Sequence, residues 1–147
     1  MPTIASERGR DEVVLVARIL LVLLFVISGW GKLTNFEGTV GYMTQTGVPV
    51  PAVATAVALV MELAVGLALA LGFWTRPLAL LLAVFTLGTA LIGHPFWSMD
   101  GVARYGASIH FYKNMSIIGG LLLLYVAGPG RHSIDAARTG TRLVEQR

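Results

Sequence analysis

The chain has 147 residues and a mass of 15.7 kDa, with 55% hydrophobic residues, 13% charged residues and a mean hydropathy of +0.73. It therefore carries roughly half the charge of a soluble domain, too little to cover a water-facing globule, and its apolar content excludes intrinsic disorder. The absence of cysteine excludes disulfides, thiolate metal sites and a redox dithiol, and the formal charge of +3 comes from basic residues in short segments around apolar blocks.

Residues 1–12 form a polar N-terminal segment, followed by an apolar block from Val13 to Gly29 that continues toward Leu33 and is broken only by Arg18. The block is longer than the apolar core of a cleaved leader, and Ser28-Gly29-Trp30-Gly31-Lys32 is a poor cleavage site, so it reads as a retained helix. Between Asn35 and Pro51, Phe36, Val40 and Met43 recur at i, i+4 and i+7, which predicts a short helix on the outer interface. A second block, Val53 to Gly72, places Glu62 at its middle and begins after Val48-Pro49-Val50-Pro51, where proline suits a first helical turn. The short Gly72-Phe73-Trp74-Thr75-Arg76-Pro77 turn makes the next block, Leu78 to Gly93, an antiparallel neighbour. His94 to His110 reads as a loop whose Phe96, Trp97, Met99 and Tyr105 form an interfacial aromatic belt. The fourth block, Phe111 to Ala127, carries Lys113 and Asn114 near its start. After Gly128-Pro129-Gly130 the chain turns polar, and residues 128–147 are expected to be a weakly ordered tail.

Each block approaches the roughly 20 residues that a helix needs to cross about 30 Å of hydrocarbon. Alternating barrel patterning and internal repeats are absent. The fold class is therefore all-α, an integral membrane four-helix bundle occupying residues 13–127. Its orientation follows from counting Lys and Arg in the connecting segments. Arg8, Arg10, Arg76, Arg131, Arg138, Arg142 and Arg147 lie on one side, against Lys32, Arg104 and the marginal Lys113 on the other. Both termini are expected to be cytoplasmic.

Ionisable residues within spans are costly unless paired or hydrated, which makes Arg18, Glu62 and Lys113 the most informative positions. Arg18, Phe25 and Lys32 share one helix face, with the two cations about 21 Å apart along the axis. Glu62 falls in the series Ala58, Glu62, Gly66, Ala70, whose small residues admit a neighbouring helix, so the carboxylate should face the bundle interior. With every span centred in the bilayer, Arg18 and Lys113 each lie about 8 Å in depth from Glu62 and are its expected partners. Two or three cations against one carboxylate would favour an anionic or electron-rich guest: a quinone carbonyl, a sulfur oxyanion or a lipid phosphate. Simpler readings stand beside these. Arg18 and Lys32 can snorkel to the headgroups, Glu62 can form a purely structural pair, and Lys113 with Asn114 can cap a helix start. His94 beside Pro95 suits an interfacial position, and Gly119-Gly120 suits close helix packing.

The ordered set resembles the DoxX family of small four-helix membrane proteins. It comprises the arginine-bearing first helix running into Ser28-Gly29-Trp30-Gly31-Lys32-Leu33, Thr46-Gly47-Val48-Pro49-Val50-Pro51, Glu62 with Gly66, the Gly72–Arg76 turn, His94-Pro95-Phe96-Trp97, and Phe111-Tyr112-Lys113-Asn114 before Gly119-Gly120. The resemblance spans roughly Val13 to Val126. It implies a bundle with both termini inside, and functions such as a membrane subunit of thiosulfate:quinone oxidoreductase or a membrane partner of sulfurtransferase and superoxide dismutase. A more distant relative assists maturation of methylamine dehydrogenase through disulfide chemistry, which a chain without cysteine cannot perform with its own thiols. The family's recurrent positions match Arg18, Lys32, Glu62, His94, Lys113 and Asn114.

The expected function is an accessory subunit of an oxidoreductase complex in a bacterial cytoplasmic membrane, more than an autonomous enzyme. Glu62 would accept a proton, while Arg18, Lys32, His94, Lys113 and Asn114 would help to hold a quinone or sulfur anion. No haem, flavin or iron–sulfur motif is present, and three scattered histidines make no metal site, so any electron transfer would use a bound quinone or a partner's cofactor. Expected partners are the lipid bilayer and either a second copy or an oxidoreductase, with no nucleic acid. Two alternatives belong to other classes: a small-solute or proton pathway, and a structural anchor for a soluble partner.

Overall fold

The computed structural model describes residues 4–145, with side chains from Gly9 to Gly140. The helices are α1 (Ile4–Thr34), α2 (Phe36–Gln45), α3 (Pro51–Leu59), α4 (Gly66–Leu71), α5 (Thr75–Gly93), α6 (Gly101–Ala127) and α7 (Ile134–Glu145). A π-helical turn, Val60–Val65, joins α3 to α4 within one span. Four segments are long and apolar enough to cross a membrane: Gly9–Thr34, Pro51–Leu71, Thr75–Ser98 and Gly101–Ala127. The protein is a multi-pass membrane helix bundle.

The interfacial helix expected from Phe36, Val40 and Met43 is α2. Asn35 caps it by accepting from the Gly38 N–H at 3.2 Å, and Thr55 donates to the Met43 sulfur at 3.3 Å, tying α2 to the second span. The fourth span differs from expectation. It starts at Gly101, so most of the supposed 94–110 loop is helix, and Lys113 and Asn114 lie near its middle instead of at its start. The polar content of Gly101-Val102-Ala103-Arg104-Tyr105-Gly106 hides two helical turns from hydropathy. Only the short 3-10 turn Phe96–Ser98 and its flanks remain as connection.

The first two spans form one closely packed pair and the last two another. Within the first pair, Gly29 provides the contact. A Cβ at residue 29 would lie 2.6 Å from the Leu63 backbone nitrogen, so only glycine permits this approach. Further along the same seam, a Cβ on Gly66 already stands 3.3 Å from a Val26 methyl.

The bundle interior is asymmetric. On the half nearer the termini, Val22, Phe25, Leu69, Leu82, Leu121 and Leu124 pack with Ala79 and Ala83 into one apolar core. On the opposite half, the buried apolar side chains are alanines, Ala58, Ala90 and Ala107, interleaved with Thr55, Glu62, Thr86 and Asn114.

The end that carries the termini is closed by polar contacts. Arg18 is 1% exposed, and its guanidinium donates to the Ala70, Pro129 and His132 carbonyls, the Ala70 and His132 bonds being 3.2 and 2.7 Å. Ala70 lies in the last turn of its span, where carbonyls lack intrahelical partners and the helix dipole favours a cation. Gly72, at φ 68°, makes room for this arrangement, because a Cβ there would meet Ser133 and lie 2.7 Å from Arg18 Nη1. Where polar composition suggested weak order, residues 134–145 form α7. Asp135 fastens it by accepting from the Trp74 and Thr75 N–H groups at 2.9 and 2.8 Å, capping the start of α5 from a distant segment. Trp74 is held there at φ 45°, a strained conformation for a bulky residue. Asp11 accepts from the Arg131 N–H at 3.1 Å, adding α1 to the same junction.

Burial alone would raise the Asp135 carboxyl pKa. The hydrogen bonds from Thr75 and Trp74 and the charge of Arg138 outweigh it, so the pKa falls below the ordinary aspartate value. Thr75 also contributes through its hydroxyl, which lies near the carboxylate but outside good hydrogen-bond geometry. A carboxyl depressed in the folded state stabilises docking above its unfolded pKa, and that contribution disappears as pH falls through the folded value.

Gly29→Ala should destabilise the protein by about 1–3 kcal/mol in detergent unfolding, whereas Gly31→Ala, with nothing within 4 Å, should be tolerated. Hydrogen exchange of the α7 backbone amides, corrected for its intrinsic pH dependence, should accelerate only on the acid side of the ordinary aspartate range in the wild type, and already at neutral pH in Asp135→Asn.

Candidate functional site

The polar half of the bundle centres on Glu62. It lies in the π-helical turn, a form concentrated at functional sites because it displaces side chains from regular helical register. Its Oε2 accepts from Lys32 Nζ at 2.7 Å, and the same ammonium donates to Ser28 Oγ at 2.9 Å. The Lys32 and Glu62 side chains are 15% and 11% exposed. Ser28 and Lys32 are four apart on α1 and therefore share a face.

Lys32 replaces the partners expected from depth, Arg18 and Lys113. Centring each span in the bilayer misplaces them. Gly29 stands level with Leu63, which shifts α1 outward against the second span and brings Lys32 within one side-chain length of Glu62. Arg18 is thereby left at the far end, where backbone carbonyls use its donors.

The ion pair also changes the charge balance. Its two members neutralise each other, and Arg18 is matched by carbonyl dipoles, so an excess of unmatched interior cations is not what distinguishes this site. The distinction is a carboxylate near the middle of the second span paired with an ammonium from the last turn of α1, where leaving either charge unpaired would be costly.

Asn114 occupies the corresponding half of the fourth span and is 9% exposed. It shares a heptad face with Ala107 and Leu121, placing its amide about 10 Å beyond the apolar core toward the polar half. No hydrogen bond joins that amide to another described residue. The residue is largely buried but its amide atoms keep some accessibility, so their free donors and acceptor are an available ligand contact.

His94 and Lys113 belong to a separate cluster. The His94 ring stacks on His110 with centroids 5.0 Å apart, and Lys113 Nζ lies 3.1 Å from His110 Nδ1. An aromatic group lies in the same part of the chain, Phe96 approaching Phe111 at 5.3 Å and Trp97 at 5.4 Å. Lys113 itself is exposed. Among the described residues, no three His, Cys, Asp or Glu side chains gather to hold a metal ion.

Ser28 and His110 join these two clusters without having been singled out from sequence. Both were legible as polar neighbours about one helical turn before a lysine, Ser28 before Lys32 and His110 before Lys113. The π turn had no such signal.

The pair has a direct test. Lys32→Met should cost about 3–5 kcal/mol in unfolding, because it leaves a buried carboxylate unpaired. Lys32→Met combined with Glu62→Leu should recover most of that loss, and Ser28→Ala should cost only about 1 kcal/mol.

The DoxX family model matches residues 13–95. The chain is 48% identical over 127 residues to the inner membrane protein YphA of Escherichia coli K12, covering 86% of this chain and 91% of that protein. It is 46% identical over 129 residues to the inner membrane protein YqjF of the same organism, covering 88% and 94%. No solved structure matches it. The four spans, the family match and relatives aligned over almost their whole length place this chain in the DoxX family of membrane proteins.

Proposed function

We propose that this chain is a membrane subunit of an oxidoreductase complex in a bacterial inner membrane, with both termini cytoplasmic, and that its polar half forms part of a quinone or sulfur-anion site. The hydrogen-bonded Lys32–Glu62 pair in the π-helical turn carries this reading. The inner-membrane location follows the two relatives named above, and the orientation follows the excess of Arg at the end bearing the termini.

The residues present fit such a guest. The unmatched Asn114 amide can donate to a carbonyl or a sulfur oxyanion, and the buried apolar residues of this half are small alanines. A quinone, when bound, would supply two-electron, two-proton carrier chemistry. The chain's own contribution is proton handling. Glu62 Oε2 holds a proton acceptor at mid-span, Lys32 stabilises its ionised form, and Ser28 fixes the ammonium. Burial excludes competing water and strengthens each of these contacts. Arg18 then acts as a positioning residue by locking α1 to the second span and the chain's end. The stacked His94 and His110 rings and the adjacent Lys113 lie at the end opposite the termini.

Glu62→Gln tests the assignment, since it keeps shape and hydrogen bonding while removing the titratable carboxyl. The variant should remain folded and retain its co-purifying partners, and quinone-linked turnover should fall about 100-fold. Unchanged turnover would overturn the proton role. Purification in lipid nanodiscs that brings neither a quinone nor an oxidoreductase polypeptide would overturn the subunit reading.

A further inference from the structure

A second site lies at the other end of the bundle, away from the Glu62 layer. A groove of about 470 Å³ is lined by Trp74, Thr75, Arg76, Pro77, Pro129 and Asp135, where the third span begins and the fourth span has just ended. We propose that this groove binds the headgroup of an anionic glycerophospholipid, with Arg76 holding the phosphate.

Arg76 supplies the groove's positive charge. Its guanidinium stands over Gly128, the residue that ends α6, such that a Cβ on Gly128 would lie 3.5 Å from Nη2. None of its donors is used by another described residue. Asp135 lines the same groove but makes no ion pair with Arg76. Both carboxylate oxygens are turned to the Trp74 and Thr75 N–H groups. An unpaired, planar guanidinium beside an apolar wall is matched by a phosphodiester, which offers two acceptor oxygens to its fork of donors.

Shape and position identify the source of that phosphate. Most of the groove's surface is apolar, and Trp74 is 60% exposed at the depth where indoles meet headgroups. From Pro77 an exposed apolar stripe continues along α5 through Leu80, Leu81 and Val84, which are 43, 47 and 63% exposed. Positions 77, 80, 81 and 84 share one helix face, so the stripe leads from the guanidinium into the hydrocarbon region. A free phosphate would use only Arg76. A lipid uses the guanidinium, the indole and the stripe together.

The test is to titrate delipidated protein with phosphatidylglycerol, phosphatidylcholine or inorganic phosphate and to read binding by native mass spectrometry. Phosphatidylglycerol should bind about fivefold better than phosphatidylcholine, the factor expected from one basic side chain at an anionic surface. Arg76→Gln should abolish that preference, while Arg131→Gln, outside the groove, should retain it. Equal binding of the two lipids, an unaltered preference in Arg76→Gln, or inorganic phosphate that competes as well as the lipid would overturn the proposal. Should Arg76→Gln fail to fold, photoactivatable phosphatidylglycerol on wild-type protein separates the same alternatives. Labelling within residues 74–84 supports the groove, and labelling confined to other segments refutes it.

Discussion

A lysine and a glutamate facing each other between two membrane helices must be matched closely, since neither water nor a distant counter-ion can stabilise them there. In this protein the match depends on a contact without any charge. Gly29 lets α1 approach the Leu63 backbone, and that approach fixes the axial offset of the first two spans. The offset brings Lys32 level with Glu62, holds the ammonium against Ser28 and leaves Arg18 at the opposite end. A larger residue at position 29 would change the distance between the helices and every polar pairing that depends on it.

The two ends of the bundle meet the cost of buried polarity in different ways. At the end bearing the termini, Arg18 is matched by carbonyls from Ala70, Pro129 and His132, and Asp135 is matched by the open N–H groups at the start of α5. These bonds join segments more than 50 residues apart, so α7 becomes part of the bundle's closure. A large apolar core lies next to this junction. Beyond it the interior changes to alanine, threonine and asparagine around the ion pair. Large apolar side chains and buried polar groups are thereby separated along the bundle axis.

Membership of the DoxX family accounts for the architecture and leaves the chemistry to the site itself. The relatives from Escherichia coli are inner membrane proteins that align over almost their full length, so the four-span bundle is shared as a whole. The Glu62 layer and the groove beside Arg76 lie in opposite halves of the bundle. The two share no residue.

Composition and hydropathy were enough to read four spans and the interfacial helix at residues 36–45, because burial in hydrocarbon imposes a long apolar run that local sequence must display. Glu62 and Asn114 could be singled out for the complementary reason: a polar residue within such a run has few neutral explanations. The start of the fourth span was hidden, since its first two turns are polar enough to resemble a loop. The partner of Glu62 was hidden as well. Hydropathy reports which residues lie within a span but carries no information about how far one span slides along another, and such a slide exchanges Arg18 for Lys32. Helix–helix contact at a single glycine decided it. The docking of α7 was decided likewise by long-range capping of backbone groups, which no window of neighbouring residues records.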